Sequence, residues 1–174
     1  LSRPKRQACN FPDRKNDPMN CVTYEEAKRY CSWRNKELPQ WQESEFVATN
    51  EGTTRFPWGK SPITCDKIVG NIDPCSSKPC NGKKSHACSN KRFTQEVDSS
   101  PQARNQKQVY HLVGNVAEWV EGTYADMPAT HALVFGGDYF SRKKFLEQKH
   151  IFGAVDKKIN KDFIGFRCAK KINK

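Results

Sequence analysis

His111-Leu-Val-Gly-Asn-Val-Ala-Glu-Trp119 is the stretch around which the rest of this chain is read. It cannot belong to one regular strand or helix, because Gly114-Asn115 interrupts the pattern with a turn signal. The chain is bent here, and Glu118 lies next to the indole of Trp119 in sequence. A lone carboxylate in this setting has two readings. It can accept backbone hydrogen bonds inside a buried turn, or it can join carbonyls exposed by the turn around a hard cation such as calcium.

Downstream of this stretch, Ala132-Leu-Val-Phe-Gly-Gly137 reads as a short buried strand whose glycine pair lets another backbone approach closely. Phe163 to Ala169 alternates as a final strand. Upstream, Thr23 and Glu26 form a capping box that starts a helix, with Tyr24, Ala27, Tyr30 and Cys31 expected on its inward face. Pro39 is expected in the first turn of a second helix that runs to about Ala48. Glu51-Gly52 breaks that helix, and Phe56-Pro-Trp-Gly59 follows as a rigid aromatic turn. Helices early, short strands late and a loop-rich middle make a mixed α+β domain with much irregular chain. Residues 1–20 read as an extended N-terminal arm and residues 21–174 as a single domain.

At 174 residues, one hydrophobic core is the natural assumption. No apolar run approaches the roughly 18 residues of a membrane span, so the chain is not expected to cross a bilayer. Its 8 cysteines contain no repeated C-x-x-C pair, which argues for disulfides over zinc and so for an oxidising compartment. No signal peptide is visible, so a secretory reading expects one to have been removed or to lie upstream. Cys9 and Cys21 can tie down the arm. Cys65, Cys75, Cys80 and Cys88 can staple the Pro-rich segment from Ser61 to Arg104, with three pairings open. The formal charge of +11 attracts anionic partners. Its basic residues are scattered, and no nucleic-acid motif accompanies them, so no specific nucleic-acid partner is expected.

Taken together, Asn20-Cys-Val-Thr-Tyr-Glu-Glu-Ala27, Tyr30-Cys31-x-Trp33, Leu38-Pro39, Phe56-Pro-Trp-Gly59, Val113-Gly-Asn-Val116, Glu118-Trp119, Gly136-Gly137 and Gly165-Phe-Arg167 resemble the formylglycine-generating enzyme, or sulfatase-modifying factor, family. The resemblance covers about Met19 to Lys171. It implies a formylglycine-generating-enzyme-like variant of the C-type lectin fold, with two helices, short antiparallel strands and disulfides. The family's usual N-terminal strands are missing or replaced. The resemblance also supports a bridge between Cys31 and Cys168, which the inward face of the first helix and the final strand suggest on their own.

The enzymes of that family hold copper with two thiolates between the Gly-Gly and Gly-Phe-Arg motifs. The interval Asp138 to Ile164 here contains no cysteine, so no copper is expected. The family's calcium motif falls on His111, Gly114, Val116 and Glu118, with His111 where an Asn or Asp is usual. These four residues form the candidate calcium site.

The resulting expectation is a non-catalytic recognition or adhesion domain, secreted, periplasmic or on a bacterial-type cell surface. Its partner would be a glycan, another anionic surface polymer or a protein. Trp41, Tyr124, Tyr139, Arg142 and Lys143 are the candidate ligand contacts. The alternative is a metal-dependent oxidoreductase of the same family, although His86, His111, His131 and His150 show no ligand-like spacing.

Overall fold

A computed structural model describes residues 9–70, 94–147 and 152–171. Helix α1 (Tyr24–Trp33) begins at the Thr23 cap, whose hydroxyl accepts from the Glu26 amide while the Glu26 carboxylate accepts from the Thr23 amide. Tyr24, Ala27 and Cys31 are buried as the apolar spacing requires. Tyr30 is not, being 48% exposed. It lies one residue step, about 100°, from Cys31 on the helical wheel, outside the narrow arc that the other three share.

Helix α2 (Trp41–Ala48) starts later than expected. Pro39 stays outside it, and its carbonyl accepts from the Glu121 amide, so the chain here pairs with a strand end before it coils. Gln40 is the N-cap, and its backbone amide donates to the Glu43 carboxylate at 2.8 Å. Asn50 and Glu51 then take positive φ and end the helix.

Strands β1 (Ala117–Val120), β2 (His131–Phe135), β3 (Phe152–Asp156) and β4 (Ile164–Phe166) form one sheet in the order β3-β2-β1-β4. Strand β1 pairs antiparallel with β2 and parallel with β4, so the sheet is mixed rather than wholly antiparallel. The expected final strand is shorter than Phe163 to Ala169. Beyond Phe166 the chain leaves β1, and Ala169 instead exchanges two backbone hydrogen bonds with Glu37. A third short helix, α3 (Lys143–Leu146), lies between β2 and β3.

Strand β1 is buried along its whole length. On one side Trp119 packs with Tyr24, Ala27, Cys31, Leu38 and Ile164. On the other, Val120 packs with Leu112, Leu133, Phe135 and Ala48. Gly136 carries φ +90°, and a Cβ there would stand 2.7 Å from the Leu112 carbonyl oxygen, so the glycine is what lets the 111–116 bend lie against the end of β2. At Gly165 a Cβ would collide with the Met19 carbonyl, which brings the 9–20 segment onto β4.

That segment lies against the body. Asn10, Asp17 and Asn20 are buried. Asn20 bridges to Gly165, and Thr94 donates to Asp17 at 2.6 Å. The structure contains the disulfides Cys9–Cys21 and Cys31–Cys168. Cys65 is also disulfide-bonded. Cys75, Cys80 and Cys88 lie outside the described residues. The bridges fit an oxidising compartment, extracellular or luminal. Among the described residues no helix is long and apolar enough to cross a membrane.

Candidate functional site

The bend at 111–116 delivers Glu118 to β1, and the parallel register with β4 places Arg167 just past the neighbouring strand. The two form a forked pair, with Nε to Oε2 at 2.5 Å and Nη2 to Oε1 at 2.6 Å. Nη2 also donates to the carbonyls of Tyr110 at 3.0 Å and His111 at 3.3 Å. Burial alone would depress the guanidinium pKa, but the Glu118 charge and its hydrogen bonds more than offset this and hold it above its usual value. Glu118 thus has a side-chain partner that neither reading from sequence supplied. It receives a side-chain cation from 49 residues away.

His111 is buried, at φ +49°, with Nε2 3.3 Å from Ser99 Oγ. Burial is the main cause pushing its pKa below the ordinary imidazole value. The backbone of Glu96 opposes the shift and the Arg167 charge reinforces it. Asn115 anchors the bend: its side chain exchanges two hydrogen bonds with the Gln95 backbone, its amide donates to Val69, and its carbonyl accepts from Tyr139. A cavity of about 520 Å³ opens beside this group, lined by His111, Glu118 and Arg167 together with Asp17, Met19 and Phe166.

The donor set formed by His111, Gly114, Val116 and Glu118 is poorly suited to calcium. It offers one carboxylate, both of whose oxygens already face a fixed guanidinium, and an imidazole in place of a hard oxygen. Among the described residues no group of three His, Cys, Asp or Glu side chains is placed to hold a metal ion.

The candidate ligand contacts separate into distinct places. Trp41 and Tyr124 meet edge to face at 6.1 Å, and Phe152 closes a triangle with them at 5.2 and 4.8 Å. Sequence reasoning missed Phe152, which enters the cluster only because β3 pairs with β2. Tyr124 is 51% exposed, so the cup opens outward. Gln40 and Glu121 lie beside it, with Gln40 Nε2 donating to Glu121 at 3.3 Å and Lys28 paired to the same carboxylate at 3.0 Å. Tyr139 does not share this surface. It is buried, its ring 4.3 Å from that of Phe140, because its amide is drawn inward to Asn115. Arg142 and Lys143 belong to α3, the first as its N-cap and the second paired to Glu147.

The sulfatase-modifying factor enzyme 1-like domain, as a family model, matches residues 1–172. The chain belongs to this family. Among curated relatives of this sulfatase-modifying-factor domain, an inactive C-alpha-formylglycine-generating enzyme 2 of Bos taurus is 33% identical over 111 residues, 62% of this chain and 33% of the relative. The formylglycine-generating enzyme of Mus musculus is 27% identical over 176 aligned positions, 90% of this chain and 45% of the relative. The chain thus spans less than half the length of these two relatives. Among solved structures, PvdO from Pseudomonas aeruginosa superposes with a TM-score of 0.70 at 22% identity, covering 99% of this chain and 70% of that one. CarF superposes at 0.65 with 19% identity, covering 96% and 73%. At such identities the structures speak for the shared fold.

Proposed function

We propose that this domain is a non-catalytic recognition module, secreted, periplasmic or displayed at a cell surface, that binds a glycan at the Trp41–Tyr124–Phe152 cup. The cup is the observation that carries the reading. Three rings in mutual contact make an apolar wall that reaches the surface at Tyr124, and the neighbouring Glu121, Gln40 and Lys28 supply acceptors and donors at its side. Sugar rings present apolar C–H faces and hydroxyls that both donate and accept, so they match such a mixture. A half-buried carboxylate at the rim, held by Lys28 and Gln40, suits hydroxyls better than it suits a sulfate or a second carboxylate. The non-catalytic half of the proposal rests on the interval Asp138 to Ile164, which lacks the thiolate pair that copper chemistry in this family requires. The existence of inactive relatives is compatible with it.

A glycan array probed at 50 and 200 mM salt, about a two-fold change in screening length, tests the proposal. A glycan signal that survives the higher salt and disappears in Trp41→Ala and Tyr124→Ala supports it. Signal lost wholly with salt reduces the binding to the +11 charge and defeats it. Oxygen-dependent oxidation of a cysteine-containing sulfatase peptide by the purified protein would overturn the non-catalytic half.

A further inference from the structure

A second cavity, of about 770 Å³, lies between α2, the segment that leads into the 111–116 bend, and the chain beyond β4. No ring of the glycan cup lines it. Its walls are Phe46 and Val47 from the helix and Val109 and Leu112 from the segment before the bend, with Pro39 and Ala169. These walls are held from behind. Asn105 donates to the Val47 carbonyl at 3.0 Å, Ala169 exchanges two backbone hydrogen bonds with Glu37, and Cys168 is bridged to Cys31. A preformed, mainly apolar hollow of this size accommodates one small organic molecule, since such sites run from about 300 to 1,000 Å³.

Two polar groups in the lining have hydrogen-bonding capacity to spare. Ser44 is buried, yet its hydroxyl makes no hydrogen bond among the described residues; the Gln40 carbonyl one turn back accepts only the Ser44 amide. A buried hydroxyl without a partner is costly, and a ligand acceptor removes the cost. Arg167 spends Nε and Nη2 on Glu118 and on the Tyr110 and His111 carbonyls, while its Nη1 makes no hydrogen bond among the described residues. With Val109 it lines both this cavity and the one beside His111, so the guanidinium belongs to the partition between them.

The ionised groups around the hollow select the charge of the occupant. Arg167 is already neutralised by its fork on Glu118. Glu43, in the exposed first turn of α2, accepts from the Gln40 amide at 2.8 Å, and no other charged side chain among the described residues lines the cavity. An anion therefore finds no unpaired cation and meets Glu43, whereas a cation brings its own donors against the N–H groups of Arg167. An uncharged acceptor oxygen meets neither obstacle.

We propose that this hollow binds a neutral, mainly apolar small molecule, of the ketone, ester or amide class, whose carbonyl oxygen accepts from the Ser44 hydroxyl with Arg167 Nη1 as the second donor. The site is independent of the glycan cup, and loss of one leaves the other.

The test titrates the whole chain with three compounds of similar skeleton, followed by NMR. Benzophenone carries a neutral carbonyl, diphenylmethane has no acceptor, and diphenylacetate carries a charge. The expected result is that benzophenone binds tightest and shifts the backbone amide resonances of Val47, Leu112 and Ala169. Ser44→Ala should weaken benzophenone about three- to ten-fold, the loss of one neutral hydrogen bond, and leave diphenylmethane unchanged. Tyr124→Ala, which strips the cup, should leave benzophenone binding intact. Irradiated benzophenone inserts into nearby C–H bonds, so the label should fall on the peptides that carry Val47 or Val109 and Leu112, a readout that needs no variant. Diphenylmethane binding as tightly as benzophenone would reduce the site to an apolar patch, and preference for diphenylacetate would make it an anion site; either overturns the proposal. Labelling elsewhere, no shift at the three amides, or benzophenone binding that ignores Ser44→Ala overturns it equally.

Discussion

An aromatic pair lies at each of two faces of helix α1, the inner one shared with β1, and the pairs look alike by distance alone. Tyr24 and Trp119 meet at 5.8 Å on the inner face, and Tyr30 and Trp33 meet at 5.7 Å on the outer. Their surroundings differ. Trp119 is fully buried and its Nε1 donates to the Val22 carbonyl at 3.0 Å, whereas Trp33 keeps most of its surface in water. Ring proximity is therefore a poor guide to stabilisation. What counts is area removed from water and whether the polar edge of the ring finds a partner.

The contrast is broken most severely by removing the bridge that holds the inner face in place. Replacing Cys31 and Cys168 by Ala opens a link of sequence separation 137. In the chain-entropy model this costs about 4–5 kcal/mol, an upper figure, read as a lower midpoint in guanidinium unfolding. Trp119→Ala should cost about 3–5 kcal/mol in the same assay, through a cavity and an orphaned carbonyl. Glu118→Gln leaves Arg167 without its counter-ion. Because Arg167 is 28% exposed, water recovers part of the loss and about 2–3 kcal/mol is expected. At the small end, Trp33→Ala should stay within about 0.5 kcal/mol of the parent. A large loss at Trp33 together with a small one at Trp119 would invert the comparison.

A titration sharpens the same contrast from the inner side. His111 has a lowered pKa in the folded state, chiefly through burial. Between that value and the ordinary imidazole pKa of about 6.5, the unfolded chain binds one more proton than the folded chain. The His111 contribution is therefore complete above that ordinary value and is lost as the pH falls through the window below it. His111→Asn, which tolerates the positive φ, should flatten the stability profile between pH 7.5 and 5.5. Parallel profiles for the two proteins would show that His111 does not titrate in this way.

Local signals in the sequence translated well. The Thr23–Glu26 cap, the break at Glu51-Gly52 and the close approach at Gly136 each depend on a few neighbouring residues, and each is present. The Cys31–Cys168 pairing was also legible, from an inward helical position and a core-bound final segment together with the family resemblance. What could not be read depends on register. Arg167 meets Glu118 only because β1 and β4 run parallel at a particular offset, and Phe152 joins Trp41 and Tyr124 only through β2–β3 pairing. Tyr139 failed as a surface residue for a related reason, since its amide is taken by Asn115 across the fold. Tyr30 was expected on the inward face with Cys31, but the step of about 100° between neighbours on a helix turns it outward, where it meets Trp33.

Residues 163–169 fasten the molecule in four ways: strand pairing to β1, the Arg167 fork on Glu118, the Cys168 bridge to α1 and the Ala169 exchange with Glu37. Each partner is translated well before this segment leaves the ribosome. Until then, β1 has an open edge, Glu118 has no cation and Cys31 is an unpaired thiol. A chain truncated before Phe163 therefore loses all four fastenings at once, not one at a time.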